Sequence, residues 1–68
     1  MDFEVIDSTY GDSIAKGDII SENGSFIQIT EVHDDGTDIE AYGHNLSTGD
    51  DWDNLLMPHG HYDIYRSY

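Results

Sequence analysis

The sequence predicts an all-β fold, a small single-domain barrel of five or six short antiparallel strands over residues 1–68. Three observations predict it. The chain has 68 residues, which leaves room for one domain. Seven glycines punctuate it at positions 11, 17, 24, 36, 43, 49 and 60, the rhythm of short strands joined by turns. Between the glycines, apolar residues alternate with a period of two, not 3.6.

The elements follow in order. Phe3 to Ile6 reads as a short first strand. Residues 12–17 hint at a single helical turn. Lys16-Gly17-Asp18-Ile19-Ile20 opens the clearest unit, which runs into Glu22-Asn23-Gly24. Asn-Gly favours the positive φ angles of a type I′ turn, the strongest short hairpin signal. Ser25 to His33 returns as a central strand, with Phe26, Gln28, Thr30 and Val32 expected on one face and Ile27, Ile29 and Glu31 on the other. Asp34-Asp35-Gly36 makes a second turn. Thr37 to Tyr42 comes back with Ile39 and Ala41 inward and Asp38 and Glu40 outward. Gly43 to Gly49 reads as a turn-rich connection. Asp50 to Met57 is a strand candidate anchored by Trp52 and by Leu55 or Leu56, with a short helical turn as its alternative. Pro58 to Gly60 breaks it, and His61 to Arg66 is the last strand. Closing so small a sheet removes its exposed edges, and an SH3-like barrel suits a chain with no inter-strand helix better than an OB-like one.

Composition bounds what such a domain does. The chain carries 15 acidic side chains against 2 basic ones, Lys16 and Arg66, for a formal charge of −13. That surface repels phosphate backbones and anionic membranes, so direct binding to nucleic acid or lipid headgroups is not expected. There is no cysteine, which excludes disulfides, thiolate metal sites and thiol catalysis. No apolar run approaches the length of a membrane span, and no leader pattern opens the chain. A cytoplasmic location is expected. High net charge is also a mark of disorder. Here eight isoleucines, five tyrosines, two phenylalanines and Trp52 sit between clear turn signals, and the chain is expected to fold. A domain of about 60 residues buries only about 60% of its unfolded surface, so its core is marginal, and both a monomer and a homodimer fit.

Gly17-Asp18-Ile19-Ile20, the strand Ile27 to Val32 and Asn45-Leu46-Ser47-Thr48-Gly49 occur in that order. With them, the run from Gly17 to Ile64 resembles the SH3-like (KOW-type) barrels of translation factors, such as the N-terminal domain of elongation factor P. The resemblance implies the fold class. That family carries a modified lysine on the loop before its third strand and a basic RNA-facing surface. This chain has Asp34-Asp35-Gly36-Thr37 in that region and no basic surface, so no functional residue carries over.

The chemistry-bearing residues read as follows. Asp34, Asp35, Asp38 and Glu40 lack the ligand order of a calcium loop and read as an acidic hairpin turn. Asp50, Asp51 and Asp53 around Trp52, with Asn54, read as solubilising charge on a strand. His59 and His61 at i, i+2, with His44 on an earlier loop, share a strand face but show no third ligand for a transition metal. No nucleophile motif is present, and a barrel this small has little room for a catalytic cleft. No enzyme activity, metal or cofactor is expected. Tyr10, Tyr42, Trp52, Tyr62, Tyr65 and Tyr68 are divided between core and partner surface, with Tyr10 and Tyr68 the exposed ones.

Charge is then the main functional signal. The first reading is a small non-enzymatic binding module whose partner is a basic protein surface. It is contacted through Asp34, Asp35, Asp38, Glu40, Asp50, Asp51, Trp52 and Asp53. In its sharp form the module mimics nucleic acid. Same-side carboxylates on a strand repeat about every 6.6 Å, a regular row of charge like that of a phosphate backbone. Asp38 with Glu40 and Asp51 with Asp53 are the expected rows. Size and charge suit a phage or mobile-element inhibitor acting in a host cytoplasm. The second reading is a halophile-adapted accessory domain of translation or another assembly, whose charge reflects its environment. A salt series separates the two. Folding that requires molar salt, followed by circular dichroism, supports the environmental reading; full folding at low salt removes it.

Overall fold

The structure, a computed structural model, describes residues 2–67. Six strands form it: β1 (Phe3–Tyr10), β2 (Ile19–Glu22), β3 (Ser25–Asp34), β4 (Ile39–Asn45), β5 (Asp51–Leu56) and β6 (His61–Ser67). One 3₁₀ turn, Gly11–Ser13, is all that forms of the helical hint in residues 12–17. No helix among the described residues is long and apolar enough to cross a membrane.

All six strands belong to one antiparallel sheet in the order β1-β6-β2-β3-β4-β5. The sheet is barrel-like because it curls on itself. Among the described residues no ladder joins β1 to β5, so these two strands remain as edges. β5 instead meets β2 and β6 across a seam held by side chains. Asn54 Nδ2 donates to Glu22 Oε1 at 2.8 Å, and the Met57 N–H donates to the Tyr62 hydroxyl at 3.0 Å.

The core is built from isoleucine. Ile14, Ile19, Ile20, Ile27, Ile29, Ile39 and Ile64 are buried together with Ala41 and Leu56, while Val32, Trp52 and Tyr62 pack against them. β-branched side chains suit this role, because their stiff χ1 fits the pleated surface. Among the described residues no polar or charged side chain is buried. A second cluster lies across β1, β3 and β6. Phe3 stacks on Phe26 at 3.9 Å, and Tyr65 meets Phe26 edge-on at 5.1 Å.

The Asn-Gly hairpin forms as its sequence dictates. Asn23 and Gly24 have φ of 50° and 80°, and Glu22 pairs with Ser25 around them. Other expectations change. The first strand extends to Tyr10, because β6 pairs with it beyond a bulge at Ile6. Asp7, Ser8 and Thr9 give that edge strand no apolar alternation. β4 starts at Ile39 and continues through Gly43, His44 and Asn45, which the sequence placed in a connection. Those residues are paired on both sides, to β3 and to β5. Between Asp50 and Met57 the strand form prevails, with Leu56 buried and Leu55 exposed.

The alternation expected along β3 does not hold to its end. The β3–β4 register shifts between Ile29 and Glu31, so Thr30 is a bulge. One extra residue flips every side chain beyond it to the other face. Val32 therefore turns inward opposite Ala41, and Glu31 turns outward opposite Tyr42.

β4 passes β3 closely at Gly43. A Cβ there would sit 2.6 Å from the Gln28 carbonyl oxygen and 2.7 Å from Ile27 Cγ2. Gly43→Ala is expected to destabilise the fold by about 1–3 kcal/mol, as overpacking does. Urea unfolding checks this through a lower midpoint at an unchanged slope.

Candidate functional site

The outward face of β3, β4 and β5 gathers the charge. Cross-strand pairing sets three rows there. Gln28, His44 and Asp51 form the first, Glu31, Tyr42 and Asp53 the second, and His33, Glu40 and Leu55 the third. Neighbouring strands lie about 4.8 Å apart, and same-face residues repeat about every 6.6 Å along each strand. Four carboxylates thus share one face a few residues across. Neither Lys16 nor Arg66 is on these strands. Lys16 precedes β2, and Arg66 on β6 pairs with Glu4 at 2.6 Å.

Like charges directly opposite each other destabilise a sheet. This face avoids that arrangement. Tyr42 separates Glu31 from Asp53, and each remaining acid has His44, His33 or Leu55 in its row. The histidines also contact carboxylates: His33 Nε2 lies 3.2 Å from Glu31 Oε1, and His44 Nδ1 lies 3.7 Å from Asp51 Oδ1. The His33 ring meets Tyr42 edge-on at 5.8 Å. Asp51 is fully exposed at 102%.

Tyr42 is the centre of the face. Its hydroxyl donates to Glu40 Oε2 at 3.0 Å. That hydrogen bond, then the charge of Glu40, then partial desolvation and the charges of Asp53 and Glu31 raise the Tyr42 phenol above its ordinary pKa. Two open hollows lie on either side of the Tyr42–Asp53 pair. One of ≈ 300 Å³ is walled by Glu40, Tyr42, Asp53 and Leu55. The other, of ≈ 390 Å³, is walled by Glu31, Tyr42, Asp51 and Asp53, with Trp52 and Thr30.

The residues expected from the sequence divide between face and turns. Glu40, Asp51 and Asp53 stand on the face. Asp38 lies in the turn before β4, so the expected Asp38–Glu40 row does not form on a strand. Asp34 Oδ1 accepts the Gly36 N–H, and Asp35 Oδ1 accepts those of Thr37 and Asp38, which fixes the β3–β4 turn. These backbone donors, Asp38 first and Thr37 second, hold the Asp35 carboxyl below its ordinary pKa. The stability this adds is present above the ordinary carboxylate range and is lost as pH falls through the lowered value. Asp50 lies in the β4–β5 turn, where its carbonyl accepts the Asn45 N–H at 2.8 Å. Trp52 is half-buried and packs against the core.

Glu31, Tyr42, His33 and His44 join the face without having been expected together there. The bulge at Thr30 brings Glu31 out, and no local sequence signal marks it. His59 lies in the turn before β6, and His61 rests its ring 4.6 Å from Tyr10. Among the described residues no group of three or more His, Cys, Asp or Glu is placed to hold a metal ion. Tyr10 is exposed, as expected, and Tyr68 lies outside the described residues. No protein-family model matches the chain, and no curated protein matches it.

The Tyr42 assignment has a direct test. In an alkaline titration followed by tyrosinate absorbance, the signal lost in Tyr42→Phe is expected to titrate above the ordinary phenol range. Glu40→Gln is expected to bring it down. The sign for stability follows. The unfolded chain releases this proton first, so the contribution is complete below the ordinary phenol pKa and lost as pH rises through the raised one. An unchanged titration in Glu40→Gln would remove the hydrogen bond as its cause.

Proposed function

We propose that this chain is a small, non-enzymatic acidic binding module. Its β3–β4–β5 face occupies the nucleic-acid-binding surface of a basic protein. One observation carries the reading. Glu31, Glu40, Asp51 and Asp53 share a single sheet face around Tyr42, with no lysine or arginine on those strands. Nucleic-acid-binding proteins contact phosphates chiefly through clustered lysine and arginine side chains. Asp51 and Asp53 repeat about 6.6 Å apart along β5, and Glu31 and Glu40 spread the charge across β3 and β4 with no two carboxylates directly opposite, a distribution that complements such a surface.

The hollows beside Tyr42 add shape to that charge. Each is open and walled by carboxylates, and each suits the end of a lysine or arginine side chain. The Tyr42 ring offers a cation a π face as well as a nearby Glu40 carboxylate. Rim charges of this kind act mainly on association rate and partner choice. An inhibitor that displaces nucleic acid from a nuclease, polymerase or repressor needs that action. Strong acidity suits such an inhibitor from a phage or mobile element.

Capture from lysate of the organism carrying the gene tests this. The wild-type chain is immobilised beside a variant with Glu31→Gln, Glu40→Gln, Asp51→Asn and Asp53→Asn together. Basic nucleic-acid-binding proteins are expected on the wild type only, released by duplex DNA and by rising salt. Proteins held equally by the variant, or not displaced by DNA, would overturn the reading.

A further inference from the structure

The seam where β5 curls back towards β2 and β6 is a groove of ≈ 620 Å³. Leu55 and Met57 line it, at 56% and 70% exposure, with Tyr62 and Tyr65 half-buried beside them. Among the described residues the other exposed large apolar side chains are Val5, Ile6 and Tyr10, and none of them lines this groove. Glu22 and Asp63 are on the same lining, and no lysine or arginine is. The groove is held open by side-chain contacts rather than by a β-ladder, with Asn54–Glu22 and Met57–Tyr62 as its ties.

We infer that this seam groove seats an apolar side chain flanked by lysine or arginine in an extended segment of the bound protein. The inference rests on the proposed function and extends it round the β5 edge. Leu55 is the link, because it ends the third row of the acidic face and also lines the groove. A segment crossing from face to groove keeps its cations near Asp53, Glu40 and Asp63 and places an apolar group on Leu55 and Met57. Charge alone selects any basic surface; the groove adds a requirement for one apolar residue at a fixed distance from the cations. Binding energy concentrates where a side chain fills a well-packed pocket from which water is excluded.

The probes are two synthetic peptides, GKGKLKGKG and GKGKGKGKG, which differ only in the central residue and carry the same charge. Each is titrated into the isotope-labelled chain at low salt and followed by NMR. The leucine peptide is expected to bind about tenfold more tightly, the effect of burying one such side chain. Its additional shifts are expected at Leu55, Met57 and Tyr62. Leu55→Ser and Met57→Ser replace exposed side chains, and the dispersion of the spectrum reports that each variant is folded. Both are expected to remove the difference between peptides, and Met57→Ser, which lies off the acidic face, is expected to leave binding of the glycine peptide. Equal binding of the two peptides, with shifts at Glu31, Tyr42 and Asp53 alone, overturns the groove and leaves the acidic face standing. Binding of neither peptide overturns both. A leucine advantage that survives Leu55→Ser and Met57→Ser places the anchor elsewhere and also overturns the groove.

Discussion

Among the described residues, a core of nine side chains, seven of them isoleucine, holds together a chain with a formal charge of −13. The rest of the structure depends on keeping those two populations apart. Among the described residues no charged side chain is buried, so no carboxylate is left desolvated within the core. Self-repulsion is then a surface matter, and spacing controls it. On the β3–β4–β5 face Tyr42 stands between Glu31 and Asp53, and Glu40 and Asp51 have only histidine, leucine or glutamine in their rows. In the turns, Asp34 and Asp35 direct an oxygen to backbone N–H groups and replace loop bonds that a short hairpin lacks. Part of the acid content is thus structural, and the part left on the β3–β4–β5 face is available to a partner.

The curl of the sheet links fold to site. Among the described residues β5 has one strand partner, β4, and its other side faces the seam. The seam is narrow enough for Asn54 to reach Glu22 and wide enough to leave Leu55 and Met57 uncovered. A closed ladder would have covered this groove and its exposed Leu55 and Met57. A flatter sheet would have lost the hydrogen bonds that tie β5 down. The same strand therefore supplies Asp51 and Asp53 to the acidic face and Leu55 to the groove.

Local chemistry made much of this legible in the sequence. Asn23-Gly24 demands positive φ, and the isoleucines mark the inward positions of β2, β3 and β4. Long-range register was not legible. Thr30 looks like any strand residue, yet its bulge moves Glu31 out and Val32 in. Gly43, His44 and Asn45 have turn-like composition, but neighbours on both sides make them strand. β1 runs on through polar residues because β6 supplies its pairing. The candidate site was half visible for the same reason. Asp51 and Asp53 sit two apart on one strand and read correctly from their spacing. Their convergence with Glu31 and Tyr42 requires the β3–β4–β5 pairing, which no single segment encodes.

The two free edges have one more consequence, which concerns copies of the chain meeting one another. An unpaired strand edge is a template for aggregation. Here β1 carries Asp7, and β5 carries Asp51 and Asp53. Two molecules approaching edge to edge bring carboxylates together before any backbone bond can form. The acid that suits a cationic partner therefore also discourages fibril-like stacking of the chain on itself. Colloidal stability and the proposed partner selection would then come from the same side chains, and a mutation that relaxed one would relax the other.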